Sequence, residues 1–229
     1  MDLQGKSASP ALKICGLTRA VDVEQCLSLG VNYAGFNFHA GSKRFIKPEA
    51  AAAVWRLAVR NHGAKALETQ PVAVFVDAPA ETLRQTVVAF PELAVLQFHG
   101  NEDPAEVRSL AGAAPGRTVW KALGIAASSD LDQAEAFAGA ASLLLLDSAV
   151  IPSGSKVAGG SGHSFNWEWL ATHRPTLPLG LAGGISAANI GAAMRFHPQL
   201  IDVCSGVEAS PGIKDPAKVV ALVREMRRA

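Results

Sequence analysis

The chain is short of several things that would place it quickly. Among its 229 residues are three cysteines, one tyrosine and three methionines, and aromatic residues make up 6%. Three cysteines (Cys15, Cys26, Cys204) cannot all pair and show no metal-ligand spacing, so a reducing cytoplasm is the expected setting. Charge of one sign is also lacking: 21 basic and 20 acidic side chains leave a net charge of +1, and nothing suggests nucleic acid as a partner. The longest apolar stretch, Ala136–Leu146, is stopped by Asp147 well short of the ~20 residues a membrane span needs. The first ten residues, MDLQGKSASP, lack the apolar core of a secretory leader and read as a loose extension over residues 1–10. With 49% hydrophobic and 18% charged residues, disorder is excluded.

What is present is repetition. Short Val/Leu/Ile-rich runs alternate with helical patterns: Leu12–Cys15, Tyr33–Phe38, Val72–Val76, Ala94–Phe98, Thr118–Lys121, Leu143–Leu146, Leu179–Ala182 and Leu200–Val203 read as strands. Helical patterns follow at Arg19–Leu29, Pro48–Arg60, Ala80–Phe90, Asp103–Ala111, Ser129–Ala138, Trp167–Thr172, Ala187–Arg195 and Asp215–Arg228. Eight strand–helix units in 229 residues, about 29 each, point to one closed (β/α)8 TIM barrel of eight parallel strands ringed by helices. An open doubly wound sheet is the rival, but it does not normally need eight units. Pro152–Gly162 is the one stretch that resembles a linker. Cutting there would leave a second piece too small for its own core, so it reads as a loop.

In such a barrel, chemistry sits where strands end. The residues following the apolar runs are Cys15-Gly16, His39, Asp77, His99-Gly100, Lys121, Asp147-Ser148, Gly183-Gly184 and Ser205-Gly206. Cys15 is in phase with Lys13, whose ammonium would favour a thiolate and make Cys15 a base or nucleophile. Cysteine is also among the most commonly buried residues, so packing alone would explain the position. Cys26 and Cys204 read as packing residues. Asp147 ends a run of four leucines, where a carboxyl is costly unless paired or used; it suits a general acid better than a cap, because a glycine-rich loop follows it. Cys15 and Asp147 could face each other across a small substrate.

Gly159–Gly162, Gly183-Gly184 and Ser205-Gly206 follow three neighbouring strands. Glycine turns let N–H groups converge on an anion, and three together point to a phosphorylated ligand. They do not form the GxGxxG pattern, so no nucleotide cofactor is implied, and no histidine–carboxylate spacing suggests a metal. Arg44 could hold a carboxylate through its fork, or could simply be a surface charge.

Taken together, these segments resemble the phosphoribosylanthranilate isomerases of tryptophan biosynthesis. The matching pieces are KICGLT (Lys13–Thr18), GFNF with SKRFI (within Gly35–Ile46), VAVFV (Val72–Val76), LQFHG (Leu96–Gly100), LLLLDS (Leu143–Ser148), GGSGHSFNW (Gly159–Trp167), LAGGIS (Leu181–Ser186) and DVCSGVEASPGIKD (Asp202–Asp215). The resemblance implies a cofactor-free Amadori rearrangement of a phosphosugar, with Cys15 as general base and Asp147 as general acid. It also implies Arg44 on the anthranilate carboxylate, with His99, Gly160, Ser161, Gly162, Gly183, Gly184, Ser205 and Gly206 around the substrate and its phosphate, in a cytoplasmic monomer or homodimer. Three places depart from the family pattern: His39-Ala40, His163–Asn166, and Cys204 where a serine is usual. Two rival readings stand beside it. The sister isomerase of histidine biosynthesis uses aspartates after strands one and five, where this chain has Cys15 and Lys121. A non-catalytic phosphate-binding barrel would have no need of Cys15 or Asp147.

Overall fold

The computed structural model describes residues 9–63, 68–148 and 164–229. Eight parallel strands close into a barrel in chain order: β1 (Ala11–Ile14), β2 (Tyr33–Asn37), β3 (Gln70–Phe75), β4 (Val95–Phe98), β5 (Thr118–Ile125), β6 (Leu143–Ser148), β7 (Leu179–Leu181) and β8 (Leu200–Val203). Pairing of β1 with β8 closes the ring, with Lys13 opposite Asp202 and Ile14 opposite Val203. The helices α1 (Ala20–Leu29), α2 (Pro48–His62), α3 (Ala80–Ala89), α4 (Pro104–Ala113), α5 (Ile190–Met194) and α6 (Pro216–Arg228) occupy connections between strands or follow the last one.

Local chemistry sets the helix ends. Proline opens α2, α4 and α6, where its missing N–H is not needed. Asp103 and Glu106 make a reciprocal capping box at α4, and Asp215 caps α6. Gly30 ends α1 in the left-handed conformation.

Alternation along each strand divides the interior in two. Leu12, Ile14, Phe36, Phe75, Phe98, Leu144 and Leu146 join the large core between barrel and helices. Val72, Val95, Trp120, Ala122, Leu143, Leu145, Ala182 and Leu200 form a separate cluster in the lumen, with Tyr33 packed against it. Tyr33 meets Trp120 edge to face at 4.7 Å between ring centroids. The lumen is thus filled by side chains near its floor, as a barrel of this size requires.

Four elements differ from expectation. The pattern at 129–138 forms successive 3-10 turns (Ser128–Phe137), because Asp130 takes the N–H groups of Ala126 and Ala127 and competes with α-helical pairing. Trp167–Ala171 is also 3-10, started by Asn166, which accepts from the N–H of Glu168. Helix α5 begins only at Ile190, since Asn189 bonds to Gly184 and Ser186 and folds the preceding residues into a turn. Strand β5 runs past Lys121 to Ile125, paired with β6 throughout. A small hairpin after β8, β9 (Glu208–Ser210) with β10 (Ile213–Lys214), was not anticipated. No helix among the described residues is long and apolar enough to cross a membrane.

Candidate active site

The phase that puts hydrophobic side chains in the lumen turns polar at the strands' C-terminal ends. One cavity of about 90 Å³ there is lined by Cys15, Asn37, Arg44, His99, Asp147, Asp202, Cys204 and Ser205 among others. Cys15 and Asp147, reached from β1 and β6, therefore share a wall-to-wall space, as expected. Asp147 follows the inward parity of Leu143 and Leu145; its Oδ2 lies 3.2 Å from His99 Nε2. Gly183 makes room for it. A Cβ on Gly183 would lie 2.5 Å from Asp147 Oδ1, and its φ of +78° already suits glycine.

Cys15 stands just beyond β1 with its N–H donated to the carbonyl of Val203. A hydrogen bond from Cys204 holds its thiol well below the ordinary range; burial opposes this, and Lys13 and Lys214 add to the lowering. Cys204 moves up correspondingly, because it carries the proton facing Cys15 and is buried. The reading of Cys204 as a mere packing residue is thus corrected: it lines the cavity beside the candidate base. Cys26 does pack; burial pushes it up to about 12.

Lys13 is fully buried and lies 2.7 Å from Asp202 Oδ2. Burial works against its charge, but Asp202 and Cys15 outweigh it and hold the ammonium above its ordinary pKa. Burial pushes Asp202 up to about 7, against the pull of Lys13. The second oxygen of Asp202 has no hydrogen-bond partner among the described residues. Asp202 was not singled out from the sequence, although a carboxylate inside the apolar run LIDV, in phase with Leu200, is a legible signal.

The glycine turns are divided. Gly183, Gly184 and Ser205 line the cavity, whereas Gly206 is not among the lining residues and packs against the carbonyl of Ile185. Gly160, Ser161, Gly162 and His163 lie outside the described residues. His39 is exposed and is not among the cavity's lining residues. Arg44 is no free surface charge: it lines the cavity and is paired through two hydrogen bonds with Glu208. Lys121 does not stand at a strand end. Its ammonium leaves the lumen to meet Glu102 at 2.9 Å and the carbonyl of Gly100 at 2.7 Å. The residue of β5 opposite Asp147 is Gly124, so this strand supplies no carboxylate at the level of the site. No cluster of three metal-ligating side chains occurs among the described residues.

The comparisons with known proteins agree with this geometry. The family pattern described as N-(5′-phosphoribosyl)anthranilate (PRA) isomerase matches residues 12–225. The N-(5′-phosphoribosyl)anthranilate isomerase of Caulobacter vibrioides is 39% identical over 218 residues, 95% of each chain. That of Sinorhizobium fredii is 40% identical over 220 residues, covering 95% of this chain and 93% of the relative. The solved phosphoribosyl anthranilate isomerase of Thermus thermophilus superposes with a TM-score of 0.79 at 30% identity, covering 95% of this chain and 98% of that one. A solved isomerase in complex with reduced 1-(o-carboxyphenylamino)-1-deoxyribulose 5-phosphate gives a TM-score of 0.79 at 26% identity, over 96% of this chain and all (100%) of that one. A barrel whose polar mouth carries Cys15 and Asp147, matched to one family over nearly its whole length, belongs to the N-(5′-phosphoribosyl)anthranilate isomerase family.

Proposed function

We propose that this chain converts N-(5′-phosphoribosyl)anthranilate to 1-(2-carboxyphenylamino)-1-deoxyribulose 5-phosphate, using its own side chains for both proton transfers. The observation that carries the reading is that Cys15 and Asp147 line one cavity from two non-adjacent strands. Asp147 protonates the ribose ring oxygen while the nitrogen lone pair forms the C=N bond, and the ring opens to a Schiff base. Cys15, as thiolate, then takes the proton from C2′, and the electron pair moves toward nitrogen to give an enolamine. Return of a proton to C1′, with loss of the C2′ hydroxyl proton, yields the ketose and restores both groups.

The lowering of the Cys15 thiol favours the thiolate that this step requires. His99 orients the Asp147 carboxyl. Arg44 receives the ring carboxylate. Gly183, Gly184 and Ser205 offer backbone donors to the phosphate, joined by Gly160, Ser161 and Gly162 on the sequence resemblance, with Gly206 setting the close approach of the two turns. The test is consumption of phosphoribosylanthranilate by purified protein with EDTA present. No turnover would sink the activity; Cys15→Ser or Asp147→Asn variants with near-native kcat would sink the roles alone.

A further inference from the structure

Arg44 reaches the cavity over Gly16, where a Cβ would lie 2.5 Å from Arg44 Cδ. Its guanidinium then meets Glu208 along one edge: Nε donates to Oε1 at 2.8 Å and Nη2 to Oε2 at 2.6 Å. Glu208 is itself held. Its side chain is 5% exposed, and Oε1 also accepts from Lys214 Nζ at 2.9 Å and from the N–H of Gly212 at 3.1 Å. Both acceptors of the hairpin carboxylate are thus engaged on one side of Arg44.

Two consequences follow. An arginine has two forks, and the Nε–Nη2 fork is taken, so a ligand carboxylate is left the Nη1–Nη2 end. Glu208 also sets its one negative charge against two cations, Arg44 and Lys214, so removing it makes the site more positive.

We propose that Glu208 is a positioning residue for the isomerase reaction, fixing Arg44 so that its free end faces the ring carboxylate of the substrate. The inference rests on the reading of Arg44 given above. Charge and position make opposite demands, which is what makes the idea testable. If Glu208 merely offset charge, removing it would strengthen attraction for a carboxylate. If it positions Arg44, removing it weakens discrimination although the site becomes more positive.

The probe is a matched pair of inhibitors: the reduced product analogue bearing the ring carboxylate, and its phenylamino counterpart without it. Unsubstituted protein should prefer the carboxylated member by roughly 10- to 100-fold, as charge-assisted hydrogen bonds warrant. Glu208→Ala should cut that preference several-fold with little change for the phenylamino compound, and Glu208→Gln should fall between. An unchanged or increased preference in folded Glu208→Ala overturns the proposal. Arg44→Ala separates the two readings: if it too leaves the preference intact, the role of Arg44 fails, and if it alone abolishes the preference, only Glu208 is misassigned. Should Glu208→Ala fail to fold, Glu208→Gln and a crystal structure of the unsubstituted protein with the carboxylated analogue decide. There the carboxylate should meet Nη1–Nη2 while Nε stays on Glu208; a carboxylate that displaces Glu208 from Nε refutes the idea.

Discussion

Two of the buried lysine–carboxylate pairs, similar in length, serve different ends. Lys13–Asp202 bridges β1 and β8 at 2.7 Å inside the lumen, beside Cys15 and under the cavity. Lys121–Glu102 lies on the outer side of β5 at 2.9 Å, its ammonium 5.9 Å from the ring of Phe137. Every bond of the outer pair is a structural tie: Glu102 also accepts from the N–H groups of Asp77 and Gly100, fastening the ends of β3 and β4 to each other. The inner pair leaves Asp202 Oδ1 without a partner among the described residues. The outer pair is saturated, and the inner one retains capacity for something else. Buried charge alone therefore does not mark the site; unspent hydrogen-bonding capacity on the lumen side does.

The largest test of that distinction is kinetic. Asp147→Asn and Cys15→Ala should each lower kcat by about 10²- to 10⁴-fold, the range of a lost general acid or base, with melting temperature little altered. Lys121→Met should do the reverse. Leaving Glu102 buried and unpaired should lower unfolding free energy by about 3–5 kcal/mol in urea titrations, while kcat of the folded fraction stays near native. A Lys121→Met variant with normal stability and crippled turnover would dissolve the comparison.

A milder contrast lies between two cysteines of one chain. Cys15 is partly exposed and its thiol is pulled down, first by Cys204; Cys26 is 1% exposed and pushed up to about 12 by burial. Iodoacetamide should therefore label Cys15 at a rate that levels off well below the pH of an ordinary thiol, and leave Cys26 untouched in native protein. Peptide mass spectrometry across pH reads both sites at once, and the carboxylated product analogue should protect Cys15.

Much of this was legible in the sequence. Strands buried on both sides are short and apolar, so eight of them stood out, and a break in apolar phase located Cys15 and Asp147. What the sequence does not show depends on which elements meet in space. Lys121 looked like a strand end because polarity interrupts the apolar run there, but β5 continues opposite β6 and turns that lysine outward. Cys204 and Glu208 could not be linked to Cys15 and Arg44, because β8 returns beside β1 only when the ring closes. The turns after β5 and β6 departed from helical expectation where Asp130 and Asn166 bind nearby backbone N–H groups.

The last contrast is the pH dependence of stability that the inner pair imposes. Burial raises Asp202 from an ordinary 3.8 to about 7 in the folded protein. A carboxyl with a raised folded pKa binds its proton more tightly folded than unfolded. Between pH 4 and pH 7 the folded state therefore carries more protons at this position, and its contribution to stability falls as pH rises through that window. Glu208 contributes in the opposite sense: Arg44 and Lys214 outweigh its burial and lower it, so its share is lost as pH falls through the carboxylate range. The two terms separate by substitution. Asp202→Asn should flatten the decline between pH 4 and pH 7 in urea midpoints and leave the Glu208 contribution in place. If Asp202→Asn left the slope between pH 4 and pH 7 unchanged, the inner pair would be as fully satisfied as the outer one, and the spare capacity assigned to Asp202 would not exist.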